Sequence, residues 1–276
     1  MRQYRVELRL PSPERLPERL ELLWRSSVRE DHPVRAVRCP LSDPREADYD
    51  AFFGVIRVSG PAAPLLSEAL TTTVSAMASL PEGAAEPALR QALDAAGLTL
   101  VAESGLKPDA PAQQRWIHGH RLFFALTQAA IVGLQDALAA PRGRSCGQGV
   151  QAAHAFLRAS AAAMRLTASF SRSAYELVVR PSMEPPQHST PRFSGLWSAD
   201  HRVLVTRLRA WGAMHGEICM DSCKTHRRLL DVVDEVYAAH IGICERFVGD
   251  GPSLLGGSKS SLDTLGELAR HRSRLL

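Results

Sequence analysis

Long apolar runs are missing from this chain of 276 residues. A helix needs about 20 consecutive apolar residues to cross a bilayer, and no stretch approaches that length, so we expect no membrane span. The opening residues, MRQYRVELRLPSPER, lack the apolar region of a secretory signal, and we therefore expect a cytoplasmic protein.

Cysteine is also scarce. Five cysteines at irregular spacing do not form the disulfide framework of a small secreted domain.

A large excess of charge is missing as well. The formal net charge is only +4, and the basic residues are spread along the chain, so we do not predict a nucleic-acid partner. The one basic cluster, ARHRSRLL at the C-terminal end, is typical of a solvated last helical turn. The segment GPSLLGGSK only partly matches a phosphate-binding loop, because Gly257 stands where that motif has lysine, and we predict no nucleotide site.

Helical periodicity dominates the chain after residue 60. Apolar residues recur there at three- and four-residue steps without a useful period-2 run, which predicts a mainly α fold, a bundle of long helices. Earlier in the chain, FFGVIRVSG is compatible with either a helix end or a strand. We predict a single domain over residues 1–276, in which residues 1–105 are less readable and residues 106–276 carry the functional site. The main predicted helices cover residues 63–80, 84–98, 115–138, 149–179, 198–214, 231–247 and 261–276.

One helical pattern near the C-terminal end carries a histidine and a cysteine on its apolar face. His240 and Cys244 lie one turn apart, so both can reach a flat cofactor that lies against the helix. The imidazole could act as an axial metal ligand and the thiol as a covalent anchor. The alternatives are a core histidine with satisfied nitrogens and an inert buried cysteine. The residues predicted to face inward are Val233, Val236, Tyr237, His240, Ile243, Cys244 and Phe247.

A second group of histidines and cysteines lies just upstream. His215, Cys219, Cys223 and His226 have a spacing that resembles a zinc site. On one continuous helix they would extend over about 16 Å, which is too far for four ligands around one ion. A zinc-binding protein therefore remains an alternative that requires a break in this helix.

Three segments of the chain resemble the tryptophan dioxygenase superfamily. HIGICERFVGDGPSLLGGSKSSLDTL is similar to its haem-ligand helix and glycine-rich loop, HGHRLFFALTQAAIVGLQDAL to its distal helix, and FSGLWSADHR to the loop that lines its distal pocket. Leu255 stands where that family places a substrate-binding threonine. The pair His240 and Cys244, with His201 upstream, instead resembles the histidine-ligated haem hydroxylases of tyrosine and methyl-tyrosine.

The resemblance implies a cofactor and a reaction. It implies helices around a haem, with His240 as the iron ligand and Cys244 as a thioether anchor, and hydrogen peroxide as the oxidant. The implied reaction hydroxylates the ring of L-tyrosine to the catechol L-DOPA in antibiotic biosynthesis. Alternatives are a 3-methyl-tyrosine hydroxylase, an indole-cleaving dioxygenase, and a non-enzymatic helical protein that binds haem or zinc. The superfamily also implies a homo-oligomer, such as a dimer, and an aromatic amino acid as the small-molecule partner.

Roles for further residues follow from the resemblance together with side-chain chemistry. A distal base, His118 or His120, would move the proton of peroxide, and His201 would approach the iron or the substrate phenol. Arg180, beside Pro181, offers a guanidinium fork for the substrate carboxylate, with a loop-bracing arginine as the alternative. The other predicted contacts are Arg121 and Trp197 with the cofactor, and Phe124, Gly257 and Ser258 with the substrate.

Overall fold

A computed structural model describes residues 7–26, 37–84, 86–100, 105–140, 147–188, 190, 193–215, 222–249 and 260–274. Long helices make up most of this part of the chain, which confirms the mainly α prediction. In chain order the helices are α1 (Glu21–Ser26), α2 (Pro44–Phe53), α3 (Ala62–Ala78), α4 (Pro81–Ala84), α5 (Pro87–Ala95), α6 (Ala112–Leu138), α7 (Gly147–Thr167), α8 (Arg172–Ala174), α9 (Arg180–Ser182), α10 (Ala199–His215), α11 (Ser222–Phe247) and α12 (Ser261–Ser273). None of the described helices is both long and apolar enough to cross a membrane.

A small sheet accompanies the helices. Its strands are β1 (Leu8–Leu10), β2 (Val37–Arg38) and β3 (Val55–Ser59), in the order β1-β3-β2. The first pair is parallel and the second antiparallel. The ambiguous segment FFGVIRVSG contains both a helix end and a strand, because Gly54 adopts a φ of 64° between α2 and β3. This left-handed conformation is easily reached only by glycine.

Helices α6 and α7 form the closest helix pair of the bundle. As predicted, α6 is buried on most of its faces over residues 122–138. A Cβ atom at Gly133 would lie 2.7 Å from the Gly149 carbonyl oxygen, and one at Gly149 would lie 2.6 Å from the Gly133 oxygen. The two backbones therefore touch at a crossing that only glycine permits on both sides.

Gly149→Ala is expected to lower the free energy of unfolding by about 1–3 kcal/mol, because the new methyl group meets backbone atoms that cannot move aside. Gly242→Ala is the matched control. Gly242 lies within α11 with no atom near the position of an added Cβ, so alanine should stabilise the helix by up to about 1 kcal/mol. Urea unfolding of both variants measures the difference, and equal effects would contradict the close crossing.

Two predicted helix boundaries are wrong. The pattern over residues 149–179 is not one helix, because α7 ends at Thr167 and a new helical segment starts after Ser171, whose hydroxyl accepts from Ala174 N at 3.1 Å. That segment continues through a π turn, Tyr175–Val179, into α9. The proline-containing stretch from residue 179 was predicted to be irregular. Its first residues are helical instead, because Arg180–Ser182 form α9 with Pro181 in the first turn.

The second histidine and cysteine group lies partly outside the described residues. Helix α10 ends at His215 and α11 begins at Ser222, while Cys219 lies outside the described residues. The distance argument against a shared zinc ion assumed one continuous helix, and it stays a prediction. Among the described residues, however, no group of three or more His, Cys, Asp or Glu side chains is placed to hold a metal ion.

A buried ionic cluster ties the sheet to the helices. Arg57 of β3 donates to both carboxylate oxygens of Asp50 in α2, at 2.7 and 3.0 Å. It also donates to both oxygens of Asp200 in the first turn of α10, at 3.0 and 2.7 Å. Gln128 of α6 donates to Asp200 at 2.8 Å. These contacts fix the start of α10, where the next residue is His201.

Candidate functional site

A cavity of about 300 Å³ lies among α6, α7, α10, α11 and α12. Its wall is mainly apolar, and the described residues that form it include no aspartate, glutamate or lysine. The predicted inward face of α11 is confirmed, because every residue named for that face lines this cavity: Val233, Val236, Tyr237, His240, Ile243, Cys244 and Phe247.

A second cavity of about 400 Å³ lies between α7 and α11 and contains none of the predicted site residues. Charged side chains line it, among them Arg158 and Glu235, whose N–O distance is 3.6 Å. Both side chains are at least one-third exposed, so their interaction is screened by solvent. The apolar cavity is therefore the better candidate for an aromatic ligand.

His240 and Cys244 meet the cavity on adjacent turns of α11. Both are half-buried. Burial lowers the pKa of His240, which keeps the imidazole neutral and leaves one nitrogen lone pair available for a metal. Burial, with a smaller contribution from the Glu245 charge, raises the pKa of the Cys244 thiol to about 11. The pair thus offers one neutral nitrogen ligand and one protonated thiol to the same ligand.

His120 reaches the cavity from α6 with a defined orientation. Its Nδ1 lies 2.8 Å from the Trp116 carbonyl oxygen, which can only accept, so Nδ1 carries the hydrogen and Nε2 keeps the lone pair. The ring stacks on Phe53 with centroids 4.2 Å apart. Burial lowers the pKa of His120 to about 4, against the Trp116 hydrogen bond, and the proximity of the His240 imidazole acts in the same direction as burial. His120 is therefore a neutral base held near His240.

His201 reaches the same cavity from α10. Burial lowers its pKa to about 4, and the charge of Arg272 and the proximity of the His240 imidazole act in the same direction. Since His120 and His201 both interact with His240, the structure brings together three histidines that are far apart in the sequence. The sequence prediction included all three, and the fold places each of them on the cavity wall.

His118, the other candidate for the distal base, does not line the cavity. It precedes His120 by two residues and therefore lies on another side of α6, near Arg121. Arg121 is buried and donates from Nε to the Phe53 carbonyl oxygen at 2.7 Å. It braces the end of α2 and does not line the cavity, and its predicted contact with a cofactor stays a prediction.

The other predicted contacts also lie outside the cavity wall. Phe124 is buried in an aromatic cluster behind the wall, with its ring 5.6 Å from that of Tyr49. Trp197 packs near Phe193, and the wall is formed instead by the two residues before it. The predicted contacts of Phe124 with the substrate and of Trp197 with the cofactor stay predictions. Gly257 and Ser258 lie outside the described residues.

Arg180, the predicted partner of the substrate carboxylate, is not on the cavity wall either. Its Nε donates to Glu184 Oε1 at 3.1 Å, one turn later in the same segment. The alternative of a loop-bracing arginine fits this position better. The predicted carboxylate contact of Arg180 stays a prediction.

Sequence reasoning missed the contribution of α12. Its wall residues are Thr264, Leu265, Leu268 and Arg272. Their spacing follows one face of a helix, and this periodicity could have been read from the sequence. Arg272 belongs to the C-terminal basic cluster that was interpreted as solvated. In the structure the Arg272 side chain lies on the same face of α12 as the other wall residues and lines the cavity.

Comparisons with known proteins place the chain in a family. Residues 9–228 match the family model described as SfmD 3-methyl-L-tyrosine peroxygenase. The 3-methyl-L-tyrosine peroxygenase of Streptomyces lavendulae is 28% identical over 260 residues, covering 83% of this chain and 71% of that protein. This chain also superposes on a crystal structure of reduced SfmD, obtained by soaking with sodium hydrosulfite, with a TM-score of 0.61 and 24% sequence identity. The superposition covers 87% of this chain and 97% of that chain, so the two share a fold. Because the family model matches most of its length, this chain belongs to the SfmD 3-methyl-L-tyrosine peroxygenase family.

Proposed function

We propose that this protein is a haem-dependent peroxygenase that hydroxylates the ring of a tyrosine derivative with hydrogen peroxide. The observation that carries the proposal is the convergence of His240 and Cys244 with His120 and His201 on one apolar cavity. In the net reaction, a ring C–H and hydrogen peroxide give a ring C–OH and water. Haem, when bound, supplies the activation of peroxide that no amino-acid side chain provides.

The ligand set of the cavity fits a haem. No three protein ligands are grouped for a bare metal ion in the described part of the chain, whereas a porphyrin supplies most of the iron ligands itself and needs few side chains. His240 would provide a nitrogen ligand. Cys244, on the next turn of the same face, would hold the macrocycle through a thioether. The family match ends at residue 228, so the support for these two residues comes from the cavity itself.

The protein would hold the substrate and move one proton. His120 has its Nε2 lone pair free and its ring fixed by Trp116 and Phe53. It would accept a proton from hydrogen peroxide at Nε2 and return it to the oxygen that leaves as water. The apolar wall would exclude bulk water and pack against the aromatic ring of the substrate.

3-Methyl-L-tyrosine is the first substrate to test, because the matching family and the Streptomyces lavendulae protein are both named for it. L-Tyrosine, which would give L-DOPA, is the second, since the sequence resemblance includes tyrosine hydroxylases. Turnover of the two amino acids and of tryptophan, each with hydrogen peroxide, distinguishes these substrates. Indole cleavage would support the dioxygenase alternative instead.

An absorption spectrum tests the cofactor. We expect purified protein to show a Soret band, which His240→Ala should shift or remove and which His154→Ala, a half-buried histidine outside this cavity, should leave unchanged. Absence of the band in wild-type protein supplied with haem would contradict the proposal and favour a non-enzymatic helical protein.

Extraction with acidified acetone tests the thioether. Haem should remain with the wild-type protein and leave with the solvent in Cys244→Ala. Cys39→Ala is the matched control, because Cys39 is also a free, half-buried cysteine but lies outside the cavity. Complete extraction from the wild type would exclude a covalent bond while leaving the rest of the proposal in place.

A further inference from the structure

Helix α12 lines one side of the cavity, is capped at its start and is tied to α11 near its end. The Ser260 hydroxyl caps its first turn by accepting from Asp263 N at 3.1 Å. Near its other end, Ser273 donates from Oγ to Asp234 Oδ1 of α11 at 2.8 Å. This second bond ties the residue next to Arg272 to the helix that carries His240. The position of Arg272 at the cavity therefore follows from tertiary contacts.

Arg272 differs from its neighbours on the cavity wall in its charge. It is the only described wall residue with a permanent charge. Its Nε is buried and has no hydrogen-bond partner among the described residues. The guanidinium interacts with the hydroxyl of Tyr237, which is a neutral group. No carboxylate in the described part of the chain forms a salt bridge with it.

The other arginines around the cavity already have partners. Arg121 donates to the Phe53 carbonyl oxygen and Arg180 to Glu184. Arg246 donates to the carbonyl oxygens of Ala168 and Phe170, at 2.9 and 2.7 Å. A partly buried guanidinium without an anion is costly, since it loses hydration without gaining an ion pair. A carboxylate in the cavity would thus give the Arg272 guanidinium the ion-pair partner that it lacks among the described residues.

We propose that Arg272 binds the carboxylate of the ligand that occupies this cavity. The planar guanidinium can donate two parallel N–H groups to the two carboxylate oxygens, and the Tyr237 hydroxyl lies beside it as a further donor. The inference rests on the proposed function, which supplies two kinds of carboxylate: that of the substrate amino acid and those of the haem propionates. Both have the same chemistry, and the experiment separates them.

The first arm of the experiment measures substrate binding without peroxide. Calorimetry on haem-loaded protein compares 3-methyl-L-tyrosine with the amine that lacks its carboxylate. If the substrate carboxylate is the partner, Arg272→Gln should weaken amino-acid binding about 10- to 100-fold and leave amine binding unchanged. Arg272→Lys should recover part of the loss, because it keeps the charge but not the fork.

The second arm measures cofactor binding. Haem and its dimethyl ester are titrated separately into apoprotein, and the absorption change gives each affinity. If a propionate is the partner, Arg272→Gln should weaken haem binding about 10- to 100-fold and have no effect on the ester, which carries no negative charge. The amino acid and the amine should then respond equally to the substitution.

Arg270→Gln is the matched control, because Arg270 lies on α12 but is exposed and absent from the cavity wall. Thermal unfolding checks that all variants fold. If Arg272→Gln binds the amino acid, the amine, haem and the ester with the same affinities as Arg270→Gln, the inference is wrong. If wild-type protein takes up no haem, the proposed function fails, and the amino-acid titration on apoprotein still tests Arg272.

Discussion

His120→Gln is expected to slow peroxide-dependent hydroxylation by about 10²- to 10⁴-fold. The reason is the geometry of the imidazole, which lines the cavity: its Nδ1–H is committed to the Trp116 carbonyl oxygen, so Nε2 keeps the lone pair. Glutamine occupies a similar space but cannot accept and return a proton at neutral pH. The loss should appear in kcat, while the KM for the amino acid should change little.

His118→Gln is the matched control for this variant. His118 lies two residues earlier on the same helix and is also half-buried, but it is not on the cavity wall. We expect turnover close to that of the wild type. Haem content and the Soret spectrum should be normal in both variants, which separates a lost proton transfer from a lost cofactor. Equal losses in the two variants, or a loss confined to His118→Gln, would contradict the assignment.

Arg57→Met is expected to lower the free energy of unfolding by about 3–5 kcal/mol. Arg57 is 3% exposed and lies between the carboxylates of Asp50 and Asp200, which are 4% and 0% exposed. Methionine has a similar length but no charge, so the substitution leaves two carboxylates close together in an apolar interior. Neither can regain its hydration without opening the fold.

Arg38→Met on the neighbouring strand provides the control. Arg38 also forms a salt bridge, with Glu7 at 3.1 Å, but the two side chains are 71% and 52% exposed. Water already screens this pair, so its loss should cost less than about 1 kcal/mol. Urea unfolding at neutral pH measures both variants. If the two substitutions cost the same, the buried cluster does not stabilise the fold as proposed.

The sequence could predict which face of α11 turns inward. The apolar residues recur at three- and four-residue steps, and this local periodicity is sufficient to align Val233, His240 and Cys244 on one side. The same argument would have identified the face of α12 that ends at Arg272. Periodicity works for these two helices because each has a polar face opposite the apolar one.

Periodicity could not decide between His118 and His120. Helix α6 is apolar on most sides, so its sequence does not mark the side that borders a cavity. Positions two residues apart point about 200° away from each other on a helix, and only the packing of α6 against its neighbours selects one. For the same reason the sequence could not tell that Phe124 belongs to the core behind the wall.

The sequence by itself determined the helical class, the inward face of α11 and the alignment of His240 with Cys244, because these depend on residues a few positions apart. The tertiary structure alone decided which charges are paired. Arg57 and Asp200 are separated by 143 positions in the chain, yet they share two hydrogen bonds. Arg272 comes to the cavity because α12 packs on α11. Such pairs depend on how distant elements pack, which no local pattern records.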